Sequence, residues 1–284
     1  MDAPSDPSRN IETIRDVKMR FEDLTSAPVF AFAVLCCLGL AAQDKKPEDA
    51  PRVLLSTPLG VSPGTKSKIV LRGLKLDQAS EIRIGDPPMP IAILSKSKVA
   101  VPQKQEVNRA GDSQIELEIE LPKETKPGEI ALSVVGPSGT SAAYQLLVDE
   151  RPPVAEVEPN DGFDQAQTIA IGTTIDGALH QPQNVDVFRF EGQAGEKLVC
   201  EVIAARRGSA LDATLTLFDA RRRLIETADD LPADDKTPRD DWSLRDARLE
   251  ITLPATGTFF LVLQDANDLG GPAHPYRLRF ARRD

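Results

Sequence analysis

The chain reads as all-β, two β-sandwich domains behind an N-terminal signal segment, and three observations carry that reading. Residues Gln114 to Leu121 set Ile115, Leu117, Ile119 and Leu121 against Glu116, Glu118 and Glu120, a period of two with one dry and one wet face. Short apolar runs bounded by glycine, proline or serine recur through both halves, and the one competing helical signal is a short turn at Gln165 to Ile169. Between the halves, Arg151-Pro152-Pro153 cannot continue a strand ladder, because proline lacks the N–H and restricts the residue before it. A chain of 284 residues is long enough for two cores of its own.

Taken in order, residues 1–42 read as a leader with a signal peptide. Val29 to Leu40 is apolar over 12 positions and is followed by Ala41-Ala42-Gln43 and then charge, which fits an h-region and a small-residue cleavage site. Twelve residues do not span a bilayer, which takes about 20. The 28 residues before the run hold six acidic and four basic side chains, unlike a short positive n-region, and a start at Met19 would shorten this leader. An uncleaved anchor and a buried helix are the competing readings. Residues 43–50 are polar and read as a linker.

Residues 51–150 form the first expected sandwich, with strand signals at Lys68 to Leu71, Ile82 to Ile84, Ile91 to Leu94, Gln114 to Leu121, Ile130 to Val134 and Tyr144 to Val148. Residues 151–284 form the second, with signals at Val185 to Phe190, Leu198 to Ile203, Thr214 to Phe218, Leu249 to Leu253, Phe259 to Leu263 and Tyr276 to Phe280. About eight antiparallel strands in a jelly-roll-like arrangement are expected there.

Composition narrows the function. Lys and Arg total 34 against 44 Asp and Glu, a net charge of −10, which excludes the basic stripe a nucleic-acid binder needs. An acidic surface confers solubility or draws divalent cations, whose hard charge prefers oxygen ligands. Cys36 and Cys37 fall in the apolar leader, so Cys200 stands alone without a disulfide partner and alternates with Leu198 and Val202 as a small buried hydrophobe. Glu156-Val157-Glu158-Pro159-Asn160-Asp161 packs three carboxylates and an amide into six residues; such a cluster needs a cation or water.

Residues 51–149 resemble the immunoglobulin-like IPT/TIG domain through Pro58, Gly60, Gly64-Thr65, Ile69 to Leu71 ending at Gly73, Gly85, and Gly136-Pro137-Ser138-Gly139. Residues 154–281 resemble the bacterial pre-peptidase C-terminal domain. The matching positions run from Glu156-x-Glu158-Pro159-Asn160-Asp161 through Ile175-x-Gly177, Val185-Asp186-Val187-Phe188-x-Phe190 and Ala194-Gly195-Glu196. They continue with Leu211-Asp212, Asp229-Asp230, Arg245-Asp246, Gly257-Thr258-Phe259, Asp265 and Tyr276-Arg277-Leu278. These resemblances imply an immunoglobulin-like spacer followed by a β-sandwich of the kind appended to exported enzymes, often peptidases.

The second resemblance also implies calcium. Carried over residue by residue, it suggests Glu156, Glu158, Asn160, Asp161 and Asp186 as ligands to one Ca²⁺. Asn184 stands where the family often has a first Asp of Asp-x-Asp; its carbonyl oxygen remains a possible ligand, with one charge fewer. A second acidic set, Asp212, Asp229, Asp230, Asp246 and Asp265, falls at strand ends and loops of the family pattern. The competing readings are a solvated acidic linker for the first set and turn capping on backbone N–H groups for the second.

No His-Glu-x-x-His, Gly-x-Ser-x-Gly or Gly-x-x-x-x-Gly-Lys pattern occurs, and His180 and His274 both read as surface histidines. Paired acids for glycoside hydrolysis stay open in so acidic a chain, although one Trp and two Tyr supply little of the sugar-stacking surface such clefts carry. The expected protein is an exported, non-catalytic binding or adhesion module, secreted, periplasmic or on the cell surface, with no membrane span after processing. Its partner would be an extracellular protein or glycan surface; the alternative is an accessory or regulatory partner of an exported peptidase on another chain.

Overall fold

The computed structural model describes residues 49–233, 236–238 and 241–283. The expected signal segment at 1–42, with Cys36 and Cys37, and most of the 43–50 linker lie outside these residues.

Strands β1 (Arg52–Thr57), β2 (Gly60–Val61), β3 (Lys66–Leu74), β4 (Glu81–Ile84), β5 (Met89–Ile91) and β6 (Ile93–Lys98) precede a four-residue helix, α1 (Val107–Ala110). Then come β7 (Ser113–Glu120), β8 (Gly128–Gly136), β9 (Gly139–Thr140) and β10 (Tyr144–Val148). They build two sheets, ordered β1-β3-β7-β6 and β2-β10-β8-β4-β5, with β9 paired to β8. The inward alternation of β7 meets β4, β8 and β10 across one core: Ile115, Leu117 and Ile119 are buried with Ile82, Ile84, Leu132, Val134 and Leu146.

The second half contributes β11 (Val154–Ala155), β12 (Gln167–Thr168), β13 (Thr174–Ala178), β14 (Val185–Gly192), β15 (Lys197–Ile203), β16 (Ala213–Asp219), β17 (Leu224–Ala228), β18 (Arg248–Thr252), β19 (Gly257–Asp265) and β20 (Pro275–Arg282). Two five-stranded sheets result, β11-β13-β20-β15-β18 and β12-β14-β19-β16-β17. Their facing sides share a core in which Phe188, Phe190, Leu215 and Leu261 of one sheet meet Leu198, Cys200, Leu278 and Phe280 of the other. The protein is thus all-β and built of β-sandwiches. Cys200 is buried in that core as expected, and burial pushes its thiol up to about 12.

Three details depart from the sequence reading. The run Ile91 to Leu94 is divided between β5 and β6, which belong to different sheets; the apolar pattern is the same on both sides of Ala92 and does not register that the pairing partner changes. The expected helical turn at Gln165 to Ile169 contains β12, which runs parallel to β14 with Gln167 opposite Phe188. Gln167 is held there by its side chain, which accepts from Val157 N (2.9 Å) and donates to Ala155 O (3.1 Å). Ten strands replace the eight or so expected in the second half, since β11 and β12, two residues each, are too short to show a period.

Of the two compact units into which the chain divides, the second, Asp44–Asp284, contains both sandwiches. Leu55, Ala110, Ala210 and Ala273 form a small apolar cluster between them. Gly208 has φ +90°, and a Cβ there would lie 1.8 Å from the Leu54 carbonyl oxygen, so the backbones touch where only glycine fits. Tyr144 donates to Arg207 O (3.2 Å), Trp242 Nε1 donates to Ser209 O (3.0 Å), and the Arg109 guanidinium lies 3.8 Å over the Trp242 ring. The junction is held by packing and hydrogen bonding as well as by the chain through Arg151-Pro152-Pro153.

Candidate metal centre

Glu156 leaves β11, whose parallel pairing with β13 is extended by Glu156 N donating to Asp176 O (2.9 Å). Its side chain turns inward, where Oε2 accepts from Ala178 N (2.9 Å) and Oε1 accepts from Asn160 Nδ2 (3.0 Å) and Tyr276 Oη (3.0 Å). The same Tyr276 hydroxyl lies 2.6 Å from Asp186 Oδ2, so a phenol on β20 joins carboxylates from the two facing sheets. Gly177 sits opposite Tyr276 in the β13–β20 register, and a Cβ there would lie 2.5 Å from the hydroxyl and 2.6 Å from Glu156 Oε2.

Of the five expected ligands, Glu156, Glu158 and Asp186 each place a carboxylate oxygen within 4.8 Å of the others. Asn160 is fully buried beside them; its N–H donates to Glu158 Oε2 (2.9 Å), and its Oδ1 is buried without a donor. Asp161 is set one step away. Its Oδ1 accepts from Asn184 Nδ2 (2.9 Å), which also donates to Asp186 Oδ1 (3.0 Å). The Asn184 carbonyl oxygen, a possible ligand in the sequence reading, accepts from His180 N (2.8 Å), while its amide nitrogen ties Asp161 to Asp186.

The electrostatics are those of a site short of positive charge. Among the described residues no lysine or arginine pairs with these four carboxylates, and the exposed His180 imidazole lies 3.9 Å from Glu156. Burial, then hydrogen bonding and charge from Glu156, pushes the Asp186 carboxyl far above the usual carboxylate range. One phenolic hydrogen cannot serve two acceptors, and at neutral pH the raised Asp186 carboxyl keeps its proton while Tyr276, raised by burial and by both carboxylates, stays a phenol. A divalent ion would replace that proton.

The second acidic set does not form one site. Asp212, Asp229 and Asp230 converge, each with an oxygen within 4.8 Å of the others. Asp246 Oδ1 accepts from Ala204 N (2.9 Å) and Ala205 N (2.6 Å). Asp265 accepts from Asp212 N (3.0 Å), Asn267 N (2.9 Å) and Leu269 N (2.9 Å). For Asp246 and Asp265 the turn-capping account describes the contacts.

His274, expected on the surface, is fully buried, and neither ring nitrogen has a partner. It follows Ala273 of the inter-sandwich cluster, and the Gly270-Gly271-Pro272 turn carries it beneath that interface, where local sequence polarity gives no sign of cover. Burial lowers the imidazole pKa, with the Asp265 charge and the Gly271 backbone acting the other way. The folded state therefore binds this proton less readily than the unfolded state, whose value is about 6.5, and stability from this group is lost as pH falls below that value. Asp186, raised in the fold, acts with the opposite sign above about pH 4. The difference between wild type and His274→Leu isolates the histidine: their urea midpoints are expected to diverge in favour of the variant between pH 7.5 and 5.5, by up to about 1.4 kcal/mol per pH unit. A constant difference would refute a neutral buried imidazole.

Tyr276 and Gly177 stand against the acidic cluster, and residue chemistry alone passed them over; both stand in the pre-peptidase pattern, the only sequence signal that marked them. No known family model matches the chain. A probable subtilase-type serine protease of Deinococcus radiodurans is 28% identical over 227 residues, 77% of this chain and 29% of that protein, so the chain spans under a third of this relative's length. Among solved structures, the pre-peptidase C-terminal domain of a Bacillus anthracis collagenase matches 46% of this chain and 99% of its own, at 16% identity and a TM-score of 0.30. A Bacteroides ovatus protein of a mixed-linkage glucan utilization locus, in complex with a mixed-linkage heptasaccharide, matches 82% of this chain and 76% of its own, at 10% identity and a TM-score of 0.27. No helix among the described residues is long and apolar enough to cross a membrane.

Proposed function

We propose that this is an exported, non-catalytic binding module whose second sandwich holds one Ca²⁺ on Glu156, Glu158 and Asp186, with Asn160 Oδ1 as a fourth oxygen. The observation that carries the metal reading is the buried, donor-less Asn160 Oδ1 beside three carboxylates that no lysine or arginine neutralises. All four donors are oxygens, which selects a hard ion over zinc. The non-catalytic reading is supported by the groups a hydrolase would use: Cys200 is buried as a thiol, the buried His274 ring nitrogens have no orienting partner, and the His180 imidazole is exposed, 3.9 Å from Glu156. The ligand is an extracellular protein or glycan surface.

The test is thermal unfolding in millimolar calcium against chelator. A ligand at a hundredfold excess over Kd stabilises the fold by about 2.7 kcal/mol, an expected rise of roughly 5–10 °C for a chain of this size. Glu158→Ala is expected to abolish the rise. A rise of equal size in the variant, or none in wild type, returns the cluster to a solvated acidic segment. The match to under a third of a subtilase-type protease favours a second reading within the same class, an accessory partner of an exported peptidase; pull-down of an exported peptidase by the purified chain distinguishes it from glycan capture.

A further inference from the structure

We propose that Asp212, Asp229 and Asp230 form a second divalent-cation site, separate from the one beside Tyr276. Two strand ends bring them together. Asp212 precedes β16, while Asp229 and Asp230 follow β17, which pairs with β16 through Leu215 opposite Ala228. On its other side β16 pairs with β19, Ala213 opposite Asp265. The hairpin and the neighbouring strand thus finish at one end of the sheet, with a carboxylate oxygen of each of the three aspartates within 4.8 Å of the other two.

An acidic cluster alone is an ordinary surface feature, but Asp212 is not ordinary. It is only 7% exposed; Oδ2 accepts from Asn267 Nδ2 (3.1 Å), while Oδ1 is buried and accepts from nothing. A carboxylate oxygen withdrawn from water without a donor is strongly disfavoured unless a cation or a bound water serves it. The charge balance favours the cation. Arg245 Nη1 lies 2.8 Å from Asp230 Oδ2 and 3.8 Å from Asp212 Oδ2, one guanidinium beside a group of three carboxylates among the described residues. Asp265 stands outside the group, its two oxygens turned to the backbone N–H groups of residues 212, 267 and 269. One buried and two exposed carboxylates, with the open side filled by water, describe a calcium-type site of modest affinity. Bound there, the ion would fasten β17 to β16 next to the turn bearing Trp242, whose ring packs against Arg109 of the other sandwich.

The test is calcium stoichiometry by titration calorimetry on the purified chain, with near-ultraviolet circular dichroism confirming that each variant is folded. Wild type is expected to bind two equivalents. Glu156→Gln with Glu158→Gln is expected to retain the weaker one, and Asp229→Asn with Asp230→Asn, at exposed positions, to lose it. Arg245→Gln removes the competing guanidinium and is expected to tighten that equivalent by roughly fivefold or more. An equivalent lost only with Asp229 and Asp230 upholds this site even if the Glu156 site binds nothing. Stoichiometry unchanged by the two asparagines, or binding unchanged or weakened in Arg245→Gln, overturns it.

Discussion

Arg277→Ala is expected to lower the unfolding free energy by about 3–5 kcal/mol, the cost of leaving buried carboxylates without their cation. Arg277 lies on β20 and is fully buried, its Nε and Nη2 donating to Asp176 Oδ1 (2.6 Å) and Oδ2 (2.8 Å) in a bidentate pair. Its Nη1 reaches across to Asp149, just beyond the last strand of the first sandwich. The two aspartate side chains are only 14% and 13% exposed, so water cannot replace the guanidinium without opening the junction. Urea midpoints at constant m-value measure the loss. Arg277→Met combined with Asp149→Asn and Asp176→Asn should recover much of it, because a buried ion pair contributes little over a neutral replacement of similar shape. A loss below about 1 kcal/mol for Arg277→Ala would mean that the clamp is solvated. The division into domains at 150/151, which we keep as a proposal, makes the same clamp the chief polar tie between them.

Gly177→Ala is expected to abolish calcium-dependent stabilisation, the whole of the roughly 2.7 kcal/mol available at a hundredfold excess of the ion. The added methyl would lie 2.5 Å from the Tyr276 hydroxyl oxygen and 2.6 Å from Glu156 Oε2. The methyl would also lie 2.6 Å from Tyr276 Cζ, so the fully buried ring has to shift as well as Glu156, and the three carboxylates separate. Apo stability falls too, because the buried Tyr276 ring is displaced, so the readout is the difference between melts with calcium and with chelator. Calcium titration of the variant checks this. An affinity within threefold of wild type would show that Glu156 does not coordinate the ion.

The acidic segment was legible because its chemistry is local: carboxylates two and three residues apart meet whatever surrounds them. Its membership was not. Asp161 and Asp186 looked alike in the sequence, yet the amide of Asn184 binds Asp161 to the side and leaves Asp186 at the centre. The acids of the second half looked like one set, and backbone capping removed Asp246 and Asp265 from it.

What the sequence by itself determined is the all-β class, the main strands and the acidic cluster, because alternation, turn residues and close spacing act within a few residues of chain. Only the tertiary structure decided what lies over each face. In β20, Tyr276, Leu278 and Phe280 point into the core as their period of two requires, and Arg277 points away from it as a surface arginine would. It is fully buried all the same, since the first sandwich covers that face and supplies Asp149. His274 is buried beneath the same junction. Alternation reports the side on which a residue stands, while cover and charge partners come from other segments, 101 and 128 residues away for Arg277.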